Sequence, residues 1–535
     1  MDSPLVAQLF RQLFRSPPAC QSRKNLAALS SCIQDGRRAV AAAATWGGQQ
    51  LQQQQQRRGM ASDHRGGSER RQSVTRGVKS KGEEAETNWQ QRTELFSLDR
   101  TDEYRSYPMV TAQELRGRRE RPRRVKMLTR DFIEDSLYNP HYGYFSKQAV
   151  IFTPGEPFDF PALADEPAFH AELGRRYTEF EDALDAARGP DSEPDPLRQL
   201  WHTPTELFRP HYGEAIARYL MSNYVMTTYP YHDLIIYEMG AGRGTLMLNI
   251  LDYIREVEPS VYDRTQYRII EISPALAHLQ ESRLLEAAAA SRGHAGKVEI
   301  VNRSVFDWRE RVPSPCFFLA MEVFDNFAHD ALRYDLRTEE PLQGVVMVDG
   351  RGDFHEFYEP ALDPLAARYL RVRDAATGGR YRLPYPASRA ARRLRAQLLP
   401  FSPNLSQPEY IPTRLLQFFD ILEKYFPAHR LLTSDFHTLP DAIKGLNSPV
   451  VQTRFERRMV PVTTPLVHQG YFDILFPTDF GVMEAVYRAV TGKLTRTMSH
   501  EAFMRSWAYV EDTQTRSGEN PLLSWYKNAS VLVTV

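Results

Sequence analysis

The sequence is poor in cysteine, with three in 535 residues. That number excludes a disulfide scaffold and a metal cluster built on cysteine pairs. Neither charge is in excess, since 67 Lys and Arg face 67 Asp and Glu. A chain basic throughout, as for coating nucleic acid, or acidic throughout is thereby excluded, although local patches are not. No apolar run approaches the ~18 residues of a membrane-spanning helix. The longest, around Ala39–Ala44 and Cys316–Met321, fall far short. What is present is ordinary globular composition, 42% hydrophobic and 25% charged, over a length that allows two to four structural units.

The charge is unevenly placed. Residues 1–60 hold eight Arg or Lys against Asp2 and Asp35, and Leu5, Leu9, Phe10 and Phe14 with Arg11 and Arg15 fit a short basic amphipathic helix. An Arg-rich, acid-poor leader of this kind predicts a mitochondrial transit peptide, with a basic tail carrying no address as the alternative. Cys20 and Cys32 fall inside it, which leaves Cys316 as a packing residue. Residues 61–126 read as a polar, basic linker. The seven bases from Arg116 to Lys126 lack the interleaved aromatics of a nucleic-acid surface, so no nucleic acid is expected as a partner.

Order is expected from Met127. Residues 127–230 predict a helical region, with helices in Leu128–Phe145 and Thr205–Tyr224. Between them lies an acidic, Pro-rich surface insertion (146–200) around a possible helix at Ala168–Ala187. Residues 231–535 then read as an α/β core. Strands are expected at Leu234–Tyr237, Tyr267–Ile270, Val298–Val301, Cys316–Ala320, Val345–Val348 and Arg430–Ser434, with a late antiparallel one in Val467–Phe476. Leu365–Leu399 suggests two basic helices, and the last forty or so residues read as packing.

The chemistry lies between residues 234 and 330. The first of these strands runs into Glu238-Met239-Gly240-Ala241-Gly242-Arg243-Gly244-Thr245 and a helix, an order that makes a ligand site where backbone must come close. Gly240, Gly242 and Gly244 are needed where a Cβ would clash or a positive φ is required. There is no Gly-Lys-Ser/Thr ending for a triphosphate and no third glycine in dinucleotide spacing, which argues against a nicotinamide oxidoreductase. Glu238 suits a cationic, amino-bearing ligand, a description that fits S-adenosylmethionine. Glu271, at the tip of the second strand, is placed to accept from ribose hydroxyls, or is a surface acid at a helix start. Phe306 or Trp308 could lie against an adenine whose amino group Asp307 accepts, although Asp307 serves equally as a helix cap. Glu322 and Asp325, three apart beyond the fourth strand, could present two acids to a guanidinium, which is planar and has five donors. An acidic helix start facing solvent is the other account.

Three segments, IIYEMGAGRGTLMLNIL, RIIEISPALAHLQESRL and FFLAMEVFDNFAHDAL, resemble the core motifs of the MidA-like methyltransferases. Phe132–Phe145, with NPHYGYF, is similar to the family's amino-terminal helix and turn, and Tyr212-Gly213-Glu214 to its F-G-E helix. The likeness runs in pieces from Leu128 to Phe480. It implies a doubly wound, Rossmann-like, seven-stranded class I methyltransferase fold with an N-terminal helical region and insertions. It also implies an adenosylmethionine loop on Glu238, Gly240, Gly242 and Gly244, Glu271 on the ribose, Asp307 on the adenine side, and Glu322 and Asp325 as the acids of the catalytic motif. Mitochondrial members are protein-arginine methyltransferases, symmetric dimethylation being attributed to them, and complex I assembly factors. A mitochondrial, matrix enzyme with a protein substrate, such as a complex I subunit, is therefore implied, and a non-catalytic assembly protein keeping the fold is the alternative. Met239, Ala241 and Met321 depart from the family pattern, and its G-D-F-I-T-S-P run survives only as Thr203-Pro204-Thr205-Glu206.

Overall fold

A computed structural model describes residues 99–147, 149–189, 194–289, 293–385, 388 and 404–535. The expected leader, the first part of the linker and the second basic helix around Arg389–Arg395 lie outside these residues. The centre is a seven-stranded sheet of β1 (Leu234–Met239), β2 (Thr265–Ile270), β3 (Val298–Val301), β4 (Cys316–Met321), β5 (His429–Phe436), β6 (Thr495–Ser499) and β7 (Ala529–Thr534). Their order is β6-β7-β5-β4-β1-β2-β3. β1 pairs in parallel with β2 and β4, β2 with β3, and β4 with β5, whereas β7 runs antiparallel between β5 and β6. Strand order reverses between β1 and β4, so their carboxyl ends open the crevice where a doubly wound sheet takes its ligand.

Both faces of the sheet are covered, which is why the strands read as apolar runs rather than alternating ones. Ile236, Phe317, Leu319, Val531 and Val533 pack in one core with helices His211–Thr227 and Thr245–Val257. Tyr237, Cys316, Phe318, Ala320 and Leu532 pack in the other with helices Thr413–Tyr425 and Phe480–Thr491. Cys316 is a buried packing residue whose thiol burial pushes up to about 12. Among the described residues no helix is long and apolar enough to cross a membrane.

Three expectations are corrected. The antiparallel strand of the main sheet is β7, inside the last forty residues, not Val467–Phe476. Of that segment only Asp473–Leu475 is a strand, in a separate three-stranded sheet with Val450–Phe455 and Arg458–Val462. Val345–Val348 is a strand as expected, and it lies in a second, five-stranded antiparallel sheet, where it pairs with Val125–Leu128. The linker does not extend to residue 126: Thr101–Ser106 and Ala112–Leu115 are helical, and Val110, Leu115 and Val125 are buried with Phe132 and Ile133. Those apolar residues are too sparse to show a period, yet each finds the core. The acidic insertion is not wholly superficial. Helix Glu166–Ala186 buries Phe169, Leu173 and Tyr177 in the main core, and its Glu181 forms a buried ion pair with Arg454 at 2.5 Å.

The helical region meets the core directly, because helix His211–Thr227 lies on helix Thr245–Val257. A Cβ on Gly213 would stand 2.5 Å from that of Asn249, so the helices touch where this glycine lets them.

Candidate functional site

The carboxyl ends of β1, β2 and β4 open into a cavity of about 370 Å³, whose far wall is the three-stranded sheet. Between β1 and its helix the backbone turns through Gly240, Gly242 and Gly244 at φ of 69°, 53° and 75°. All three are left-handed, so the glycines are conformational requirements. A Cβ on Gly242 would also come within 2.9 Å of the Ile151 side chain. Glu238 and Glu271 both line the cavity, each 3% exposed. Glu238 accepts from the Tyr267 hydroxyl at 2.7 Å, and its burial lifts its carboxyl to about 7. Glu271 accepts from the Ser273 backbone at 2.9 Å and from Gln280 Nε2 at 3.1 Å, and burial raises it as well.

Gln280 was not singled out in the sequence. Its amide also donates to the Gly242 carbonyl at 2.9 Å, tying the glycine loop to the second-strand acid. Its position, seven residues beyond Ser273 in the helix that Ser273 precedes, is the one signal of that role. Phe306 lines the cavity beside Phe327, with the Arg414 guanidinium 4.8 Å from its ring centre. Asp307 does not line it. The carboxylate is half-exposed and paired with Arg116 at 3.0 Å, a partner that local sequence does not announce.

Beyond β4 the chain builds an acidic floor. Glu322 has φ 53°, a left-handed conformation that costs a non-glycine residue about 1 kcal/mol or more, and its N–H donates to the Ser434 carbonyl at 2.8 Å. Asp325 is 2% exposed, and its Oδ1 is buried with no hydrogen-bond partner. Burial, then the neighbouring Asp435, hold both carboxyls well above the ordinary range. Asp435, at the end of β5, accepts the backbone N–H of Phe324 at 2.8 Å and so fixes the turn that carries Asp325. Asp473 reaches the cavity from the three-stranded sheet and accepts from Asn326 Nδ2 at 3.0 Å. Burial raises Asp435 and Asp473 to about 7. Asp473 is a single acid inside the apolar run Tyr471–Phe476, and nothing local in the sequence marks it as a site residue.

A pH dependence follows. Glu238, Asp435 and Asp473 keep protons in the folded protein that the unfolded chain releases near its ordinary 3.8 to 4.5. The folded state therefore binds more protons, and stability falls as pH rises towards 7. Buried His202, His329, His429 and His500, lowered from 6.5 to about 3 or 4, act oppositely but only below about 6.5. The urea midpoint is therefore expected to decline between about pH 6.5 and 8, and Asp473→Asn to flatten that decline. An equal slope in the variant would remove Asp473 from the account.

With this geometry in view, the family model described as "Putative S-adenosyl-L-methionine-dependent methyltransferase" matches residues 215–498, more than half of the chain. The chain belongs to this methyltransferase family. Its cofactor is S-adenosylmethionine, and the nicotinamide alternative falls away. A curated relative, "Protein arginine methyltransferase NDUFAF7 homolog, mitochondrial" from Schizosaccharomyces pombe, is 25% identical over 406 residues, covering 72% of this chain and 80% of the relative. The protein of the same name from Saccharomyces cerevisiae is 21% identical over 354 residues, covering 61% and 78%. A crystal structure of a methyltransferase-like protein from Burkholderia thailandensis, bound to S-adenosyl-homocysteine, is 15% identical with a TM-score of 0.47, covering 76% of this chain and 87% of that one. The residues present fit the cofactor. The left-handed glycine turn leaves backbone open to the cavity, and Glu271 is fixed beside it by two donors.

Proposed function

We propose that this chain methylates arginine side chains of a protein substrate in mitochondria, supporting assembly of respiratory complex I. The observation that carries the reading is the unpartnered, buried Oδ1 of Asp325, in a cavity that Glu322 and Asp473 also line. Three acids in an apolar enclosure are costly without a cation, and a guanidinium matches them in charge, planarity and number of donors. The named relatives, both mitochondrial protein arginine methyltransferases, support the same substrate class. The role in complex I assembly rests on the resemblance to the mitochondrial MidA-like branch.

In this reading Glu238, the glycine loop and Glu271 hold the cofactor, with Phe306 against its base. S-adenosylmethionine supplies an electrophilic methyl group on a positively charged sulfur. Glu322 and Asp325 accept the guanidinium N–H groups, orient one nitrogen, and take up the proton that the methylated nitrogen sheds. Their raised proton affinity means that a cationic substrate displaces protons when it binds.

The test is incubation of the purified protein with methyl-labelled S-adenosylmethionine and mitochondrial extract, followed by amino-acid analysis. Label in methylarginine is expected. Label confined to lysine or carboxyl groups, or no label, would overturn the proposal.

A further inference from the structure

A second set of unmatched polar groups stands at the glycine loop, in the same cavity as the acidic floor. Glu206, in the helical turn Pro204–Leu207, lines the cavity and is 2% exposed. One of its oxygens accepts from the Thr245 hydroxyl, while Oε2 is buried with no partner. Thr245 Oγ1 in turn accepts from Arg283 Nη1 at 2.8 Å, and the same guanidinium nitrogen reaches the Arg243 carbonyl at 3.2 Å. Arg243, inside the glycine loop, also lines the cavity, and its Nε is buried without an acceptor. Nearby Arg209 has its Nε buried without an acceptor too. Burial and mutual repulsion among Arg209, Arg243 and Arg283 depress the first two, and Glu206 only partly compensates.

Buried donors and a buried acceptor stand together, yet neither satisfies the other. Such groups are costly unless a ligand completes them. The complementary ligand carries an anion and a cation a few bonds apart, as the α-carboxylate and α-ammonium of an amino acid do.

We propose that Glu206 and Arg243 form the subsite for the zwitterionic amino-acid end of S-adenosylmethionine. Arg243, with Arg209 behind it, faces the carboxylate, and Glu206 Oε2 accepts from the ammonium. The proposal rests on the cofactor assignment but not on the arginine substrate. It gives a role to Thr203-Pro204-Thr205-Glu206, a segment that diverges from the family's run and that the acidic floor does not use.

Calorimetry with three ligands separates the contributions. S-adenosylmethionine has both groups, decarboxylated S-adenosylmethionine keeps only the ammonium, and methylthioadenosine has neither. The native protein is expected to prefer the first over the second by at least about tenfold. Arg243→Gln should abolish that preference. Glu206→Gln should weaken the first two by about tenfold and leave methylthioadenosine unchanged. Retained methylthioadenosine binding shows that a variant is folded. Equal native affinity for the first two ligands would overturn the subsite whatever the variants do, as would undiminished preference in Arg243→Gln. If the native protein bound none of the three, the cofactor assignment itself would fail.

Discussion

Glu322→Gln is expected to reduce methyl transfer by at least about a hundredfold while S-adenosyl-homocysteine affinity stays within about twofold. The substitution keeps the side-chain length and the left-handed backbone at φ 53° but removes the charge. What is lost is an acceptor that holds the guanidinium in line and can take its proton, an interaction worth several kcal/mol in an enclosure that excludes water. The cofactor groups are separate: Glu238 is held by Tyr267, and Glu271 by Ser273 and Gln280. A single-turnover assay with labelled cofactor, alongside calorimetry with S-adenosyl-homocysteine, reads the two effects independently. Loss of both together would mean that Glu322 supports the crevice rather than the substrate. Unchanged transfer would remove it from the chemistry. Native protein that binds cofactor but transfers no methyl would favour the non-catalytic alternative.

How much of this was legible in the sequence depended on how far apart the partners lie. β1, β2 and β4 each combine an apolar run with a glycine turn or an acid at the carboxyl end, and both signals are local. β7 is equally apolar, but nothing beside it indicates that Ala529 pairs with Phe436, or that the chain's last strand fills the gap between β5 and β6. The acidic floor divides in the same way. Glu322 and Asp325 share one motif, whereas Asp435 caps their turn from 111 residues away and Asp473 reaches Asn326 across 147. Asp307 is a further case, since its partner Arg116 is 191 residues distant and sits in a stretch that looked like linker. Sequence pattern therefore reported what a residue can do, and topology decided what it meets.

The second large effect concerns how that distant acid is held. Gly470 has φ 84°, and a Cβ there would fall 1.6 Å from the Tyr142 carbonyl oxygen and 2.8 Å from its carbon. The obstacle is backbone, so a side-chain rotation cannot relieve it. The contact belongs to a tight junction: Arg121 Nε donates to the Gln469 carbonyl at 2.7 Å, its guanidinium lies 4.6 Å from the Tyr471 ring centre, and Tyr142 donates to Asp135 at 2.8 Å. Gly470→Ala must push the segment before Asp473 away from the NPHYGYF turn. We expect it to cost at least about 3 kcal/mol in urea unfolding, in the range reserved for overpacking combined with backbone strain. Gly492→Ala is the control, because that glycine has φ 68° with nothing near its Cβ position, so it isolates the cost of the left-handed backbone at about 1 kcal/mol. Similar costs for the two would show that the junction yields easily and that Asp473 is only loosely positioned. A larger loss at Gly470, with methyl transfer falling further than S-adenosyl-homocysteine affinity, would tie the rigidity of this junction to the acid it delivers.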